Sequence, residues 1–94
     1  MEITWEQVKA MEKGSYVLVD VRKYEISNLG KVPSAIAVSY EEEPELLAIL
    51  PKNKKIFIYC NEGNTSLEVQ KELSDKGYDA YSIKGGYSAF LKEL

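Results

Sequence analysis

From Lys55 to Cys60 the chain reads Lys-Ile-Phe-Ile-Tyr-Cys, and from Tyr16 to Asp20 it reads Tyr-Val-Leu-Val-Asp. Neither run alternates apolar with polar residues, so each predicts a strand covered on both faces, as the strands of a parallel sheet are. Helix-like segments separate these and the other strand-like ones. That alternation is the pattern of an α/β sheet with helices packed over it. Within 94 residues there is room for one domain, taken as residues 1–94.

The remaining elements are placed by their local signals. Thr4-Trp5-Glu6-Gln7 reads as a capping box that opens a short helix through Val8 and Met11 and stops near Gly14. Gly30 to Ser34 reads as a turn in which Pro33 forbids regular helix, followed by a short strand over Ala35-Ile36-Ala37-Val38. Glu41-Glu42-Glu43 precedes Pro44, which suits a first helical position, and the acids suit the positive end of that helix. This helix buries Leu46, Leu47 and Leu50 and ends at Pro51. A polar turn from Asn61 to Asn64 leads into a helix over residues 65–76. Ser66, Val69 and Leu73 share one of its faces, Gln70 interrupts the pattern, and Gly77 serves as a left-handed cap. Asp79 to Ile83 is a last strand, and Gly85-Gly86 opens a terminal helix carrying Phe90 and Leu94.

Composition excludes several classes of function. The net charge is −3 and the lysines are scattered around a single arginine, Arg22, so there is no footprint for nucleic acid. No apolar stretch approaches the ~18–20 residues needed to cross a bilayer, and the first residues do not resemble a signal peptide, so no membrane partner is expected. One cysteine cannot form an internal disulfide and fits a reducing cytoplasm. With no histidine in the chain, a structural zinc site and Ser–His–Asp or Cys–His catalysis are excluded, and no metal or other cofactor is expected.

The stretch that carries chemistry is Cys60-Asn61-Glu62-Gly63-Asn64-Thr65-Ser66, between a buried strand and a helix start. Sites in open α/β sheets form at the carboxyl ends of strands. A loop curling into a helix presents several free backbone N–H groups, which together make an anion nest. A cysteine at its mouth is favoured as thiolate. Gly63 permits the curl by accepting positive φ, and Thr65 and Ser66 each offer a hydroxyl toward the sulfur. The same cysteine also reads as a small buried hydrophobe at the end of an apolar strand, and the local features leave both readings open.

Several separated segments together resemble the rhodanese family. Asp20-Val21-Arg22 is similar to the family's Asp-Val-Arg, and Gly30-Lys31-Val32-Pro33-Ser34-Ala35 to its Gly-His-Ile-Pro-Gly-Ala turn. Cys60 to Ser66 resembles its active-site loop, Cys-x-x-Gly-x-Arg-Ser, and Ile83-Lys84-Gly85-Gly86 with Phe90 resembles its closing segment. The likeness covers nearly the whole chain in the family's order. It implies a rhodanese-like α/β fold, a five-stranded parallel sheet flanked by helices on both faces. It also implies a sulfurtransferase in which catalytic Cys60 carries sulfane sulfur as a persulfide. The loop of Asn61, Glu62, Gly63, Asn64, Thr65 and Ser66 then binds the persulfide, and Asp20 and Arg22 brace it. The implied partners are a sulfur donor, either a protein persulfide or a small sulfane donor, and a thiol or cyanide-like acceptor.

The chain departs from the family's pattern at several positions. Thr65 stands where many active members carry arginine, Lys31 replaces a histidine, and Ser34 replaces a glycine. Glu62 places a carboxylate beside the sulfur, which is expected to oppose the thiolate and to repel a dianion such as thiosulfate. The alternative function is a non-catalytic rhodanese-like module that binds a partner or senses oxidants through Cys60. A phosphatase of the same fold is disfavoured, because its longer loop ends in a phosphate-clamping arginine and no arginine lies in this one.

Overall fold

The computed structural model describes residues 1–93 and contains one sheet of five parallel strands. The strands are β1 (Glu2–Ile3), β2 (Tyr16–Asp20), β3 (Ile36–Ala37), β4 (Lys55–Tyr59) and β5 (Asp79–Ile83), in the spatial order β1-β5-β4-β2-β3. The helices are α1 (Trp5–Lys9), α2 (Tyr24–Leu29), α3 (Asn64–Asp75) and α4 (Gly86–Lys92), with a 3₁₀ helix over Pro44–Ile49. The two apolar runs of the sequence are the neighbouring inner strands β2 and β4, paired from Tyr16↔Lys55 to Asp20↔Tyr59.

β4 shows why a continuous apolar run was needed. Ile56, Phe57, Ile58 and Tyr59 are all fully buried. Because side chains alternate across a sheet, Ile56 and Ile58 join one core with Val19, Val69, Leu73 and Ala80, beneath α3 and the 3₁₀ helix. Phe57 and Tyr59 join a second core with Trp5, Val8, Leu18 and Ile83, against which Phe90 of α4 packs. Each such apolar side chain contributes about 1.5–3 kcal/mol on burial. Helices therefore cover both faces.

The capping box at Thr4 is present, with the Thr4 hydroxyl accepting from Gln7 N–H and the Gln7 side chain accepting from Thr4 N–H. α3 ends in a Schellman turn, Tyr78 N–H to Leu73 O and Gly77 N–H to Ser74 O, with Gly77 at φ +94°. Gln70, the expected interruption of its apolar face, is buried there with its amide satisfied by Ser74 Oγ and the Ala80 carbonyl. Ser34 takes φ +72° in the turn closed by Ala35 N–H to Val32 O, a conformation for which glycine is the usual residue.

Some local expectations need correction. The fifth strand is the two-residue β1 and the segment after Arg22 is helical, neither of which has a periodic signal long enough to read. The segment at Pro44 is 3₁₀ rather than α-helix. Glu43 stands at its N-cap position without a side-chain cap bond, and Glu42 Oε2 accepts the Tyr24 N–H at 2.8 Å, at the start of α2. α3 begins at Asn64, one residue early. The expected place of Leu94 in the last helix lies outside the described residues.

The topology positions the site. The chain leaves β2 toward β3 on one side and leaves β4 toward β5 on the other. Their continuations diverge and open a crevice above the carboxyl ends of β2 and β4, the usual place for a ligand in such sheets. Asp20 ends one of these strands and Cys60 directly follows the other.

Candidate active site

Cys60 lies under the loop that joins β4 to α3 and is 7% exposed. Its sulfur accepts the backbone N–H of Gly63 at 3.1 Å and of Ser66 at 3.4 Å, and lies 3.5 Å from Ser66 Oγ. Gly63 makes the curl possible at φ +103°, in the left-handed region, immediately before α3. A Cβ there would also meet Gly85 N at 3.3 Å.

α4 holds the loop from below. Tyr87 N–H donates to Cys60 O at 2.8 Å and Ser88 N–H to Asn61 O at 3.0 Å. The carbonyls of the first two loop residues are thereby both fixed by α4. Gly86 packs against the same peptides so closely that a Cβ would stand 2.8 Å from Asn61 C and O. Trp5 Nε1 donates to Gly86 O at 2.8 Å and secures that contact from α1.

Burial pushes the Cys60 thiol up. The Ser66 hydroxyl and the backbone N–H groups of Ser66, Gly63 and Glu62 outweigh it, so the thiol titrates below its ordinary value. Glu62 thus acts on the sulfur through its backbone in favour of the thiolate, opposite in sign to the effect expected of its carboxylate. That carboxylate is exposed at the cleft. Thr65 is exposed as well, and its hydroxyl makes no hydrogen bond to the sulfur among the described residues.

Asp20 and Arg22 form the second part of the site. Arg22 Nε lies 3.0 and 3.2 Å from the two Asp20 oxygens, and Nη2 donates to Asp20 Oδ2 at 2.8 Å. Nη2 also reaches the Gly30 carbonyl at 2.7 Å and Nη1 reaches Asn61 Oδ1 at 3.1 Å. The guanidinium lies 4.2 Å over the Tyr87 ring. One side chain therefore ties β2, the Gly30 turn, the Cys60 loop and α4 together. Asp20 is fully buried, which alone would raise its pKa, but the bonds from Arg22 and Tyr59 hold its carboxyl below the ordinary value. Tyr59 donates its hydroxyl to Asp20 Oδ2 at 2.8 Å and accepts Val32 N–H at 3.0 Å. Burial, with the carboxylate beside it, pushes its phenol up. Lys31 stands apart from the sulfur, with Nζ on the Ala35 carbonyl at 2.8 Å.

A cleft of roughly 620 Å³ opens over Cys60, lined among others by Val21, Arg22, Lys23, Ile26, Tyr40, Glu41, Glu62 and Glu68. Its two cations are engaged, Arg22 by Asp20 and Lys23 by Glu41 at 3.6 Å. Among the described residues no group of three His, Cys, Asp or Glu side chains converges as a metal site. Also among them, no helix is long and apolar enough to cross a membrane.

The sequence reading missed Tyr59, Tyr87 and Ser82. Ser82 Oγ lies 2.7 Å from Ser66 Oγ and both serines are fully buried. The available signal was a hydroxyl set within an apolar strand, Tyr59 in β4 and Ser82 in β5.

A parallel five-stranded α/β domain with a cysteine seated in an amide-lined loop defines a class of thiolate-bearing folds. Within that class the chain belongs to the Rhodanese-like domain family, whose sequence profile matches residues 4–93. It is 35% identical over 81 residues to a tRNA sulfurtransferase of Desulfurococcus amylolyticus, covering 86% of this chain but 16% of that protein. It is 31% identical over 88 residues to YtwF of Bacillus subtilis, which carries a provisional sulfurtransferase name, covering 94% of this chain and 84% of that one. The crystal structure of a Rhodanese-like domain protein from Staphylococcus aureus superposes with a TM-score of 0.84 at 32% identity, over 95% of this chain and 90% of that one.

Proposed function

We propose that the protein is a sulfurtransferase that carries sulfane sulfur as a persulfide on Cys60. The observation that carries this reading is the pair of N–H groups, from Gly63 and Ser66, directed at the Cys60 sulfur. The thiolate attacks the outer sulfur of a donor. A new S–S bond forms at Cys60 as the donor's bond to that sulfur breaks, and the leaving group departs with the electron pair. An acceptor nucleophile then attacks the outer sulfur, and Cys60 leaves as thiolate. The loop amides stabilise the anionic sulfur in each state, as an oxyanion hole does for oxygen. Asp20 and Arg22 keep the Asn61 end of the loop in place.

The charges at the cleft support a donor class. A sulfonate such as that of thiosulfate meets Glu41, Glu62 and Glu68, while Arg22 is held by buried Asp20 and Lys23 lies 3.6 Å from Glu41. A protein persulfide or an uncharged sulfane donor is thus the better substrate, thiosulfate a slow one, and the acceptor a thiol or cyanide-like nucleophile. A reducing compartment such as the cytoplasm keeps the single thiol available, and we assign the protein there.

Among the described residues no side-chain cation hydrogen-bonds the Cys60 sulfur, which also supports a second reading, a module that binds a partner or responds to oxidants through Cys60 without turnover. Mass spectrometry separates the two. After incubation with a cysteine desulfurase plus cysteine, and separately with thiosulfate, the carrier gains the mass of sulfur on Cys60 and passes it to cyanide. Cys60→Ser should abolish both steps with the fold intact. A wild-type protein that never gains sulfur from either donor would leave only the binding module.

A further inference from the structure

β5 places Ala80 and Ser82 on the same face of the sheet, the face covered by α3. At that layer Ala80 shows that packing needs no hydroxyl, and a hydroxyl sealed from water must find a partner. Ser82 is 0% exposed, and its one side-chain hydrogen bond among the described residues is to Ser66 Oγ. Ser66, equally buried, reaches the Cys60 sulfur. Ser82 Oγ, Ser66 Oγ and Cys60 Sγ thus form a chain of polar atoms from the sheet to the reactive group.

Each hydroxyl has one proton to give. When Cys60 is a thiol, it can donate to Ser66 Oγ and Ser66 can donate to Ser82, which leaves the Ser82 proton without an acceptor in the chain. A sulfur anion only accepts. Ser66 must then point its proton at the sulfur, and its oxygen receives the proton of Ser82. Both hydroxyl protons are used, and the two dipoles line up behind the negative charge, polarising one another.

We propose that Ser82 is a positioning residue whose hydroxyl sets Ser66 as a donor toward Cys60, so that the buried pair selects the anionic form of the sulfur. The proposal rests on the sulfur-carrier reading and adds to it a group outside the loop that sets the charge state of the nucleophile. The proton lost by Cys60 leaves through the cleft to solvent. Neither serine gives up its own proton; each hydroxyl only rotates.

The test reads the titration of Cys60, the only thiol in the chain, by its thiolate absorbance and by the pH dependence of alkylation with iodoacetamide. Arg22, Lys23, Glu41, Glu62 and Glu68 face Cys60 across the cleft and are common to all variants compared. Ser82→Ala should raise the Cys60 pKa by about 0.5, roughly a threefold loss of thiolate below the midpoint. Ser82→Thr and Ser82→Val share one shape and differ in the hydroxyl, so the first should keep the wild-type titration and the second lose it. In a Ser66→Ala background, Ser82→Ala should have no further effect. An unmoved titration in both Ser82→Ala and Ser82→Val overturns the proposal, and so does a shift of equal size with Ser66 already removed. No sulfur donor is present in these measurements. A Cys60 that titrates as argued but never loads sulfur would defeat the carrier reading and leave the role of Ser82 standing.

Discussion

Tyr87 donates its backbone N–H to the carbonyl of Cys60 at 2.8 Å, so the first turn of α4 fixes which way the nucleophile's own peptide faces. Ser88 N–H holds the Asn61 carbonyl in the same way, so α4 anchors the two residues that open the loop. Gly86 is the residue that allows the approach. Its φ is +53°, and a side chain there would overlap the Cys60 and Asn61 peptides.

Gly86→Ala is therefore expected to damage stability and site together. The overlap forces the two backbones apart, and the positive φ adds strain, for a combined cost of about 2–4 kcal/mol. Denaturant unfolding measures the first effect. The rate of Cys60 alkylation near neutral pH measures the second and should fall, because the displaced loop no longer aims its amides at the sulfur. A variant with wild-type alkylation would show that the loop holds its shape without α4.

The titration of Cys60 also links pH to stability. Its folded pKa lies below the ordinary thiol value, so between the two the unfolded chain binds more protons than the folded one. Stability should rise with pH across that window, be complete above the unfolded value, and be lost as pH falls through the folded value. Comparing unfolding midpoints of wild type and Cys60→Ala across that range isolates the contribution. A difference between the two proteins that does not vary with pH would mean the thiol is not depressed by folding.

How much of this was legible from residues alone depends on the length of each signal. β2 and β4 were readable because five-residue apolar runs leave a strong pattern, and Gly63 and Gly77 because a positive φ was the natural reason for glycine at those positions. β1 and α2 were not, since two and six residues carry too little periodicity and α2 buries only Ser27. The Cys60 loop was read as one local motif. Of its supports, Arg22 was expected from the family resemblance, whereas Tyr87 and Ser82 lie well away in sequence and only the fold shows that they meet it.

The Asp20–Arg22 pair carries a structural prediction. Asp20→Asn leaves a buried guanidinium without its counter-charge, and breaking such a pair costs about 3–5 kcal/mol. The buried Tyr59 hydroxyl also loses the carboxylate that accepts its proton. Thermal or denaturant unfolding should report a loss of this size. Arg22→Lys should be milder in stability but should loosen the loop, since an ammonium cannot hold Asp20, Gly30 and Asn61 in one plane. Amide hydrogen exchange of Asn61 to Gly63 is the readout, and unchanged protection there would show that the loop does not depend on the guanidinium.

Glu62 separates the backbone of the loop from its charge. Its amide favours the thiolate whatever side chain follows, so replacing the carboxylate leaves that contribution in place. What changes is the field met by an incoming donor. At about 7 Å in water-like surroundings each pair of unit charges costs roughly 0.6 kcal/mol, so a dianion is opposed by roughly 1.2 kcal/mol. Glu62→Gln should then speed loading from thiosulfate by about five- to tenfold at low salt, and Glu62→Lys by more, because it reverses the charge. Both gains should shrink as salt rises, since exposed charges are screened over ~8–10 Å at physiological strength. Loading from a protein persulfide should change far less, because that donor brings no compact dianion into the cleft. The measurement is the second-order loading rate for each donor, in the three proteins, at low and high salt. Equal thiosulfate rates at low salt would show that the side chain turns away from the path of the donor, and the slow reaction with thiosulfate would need another cause.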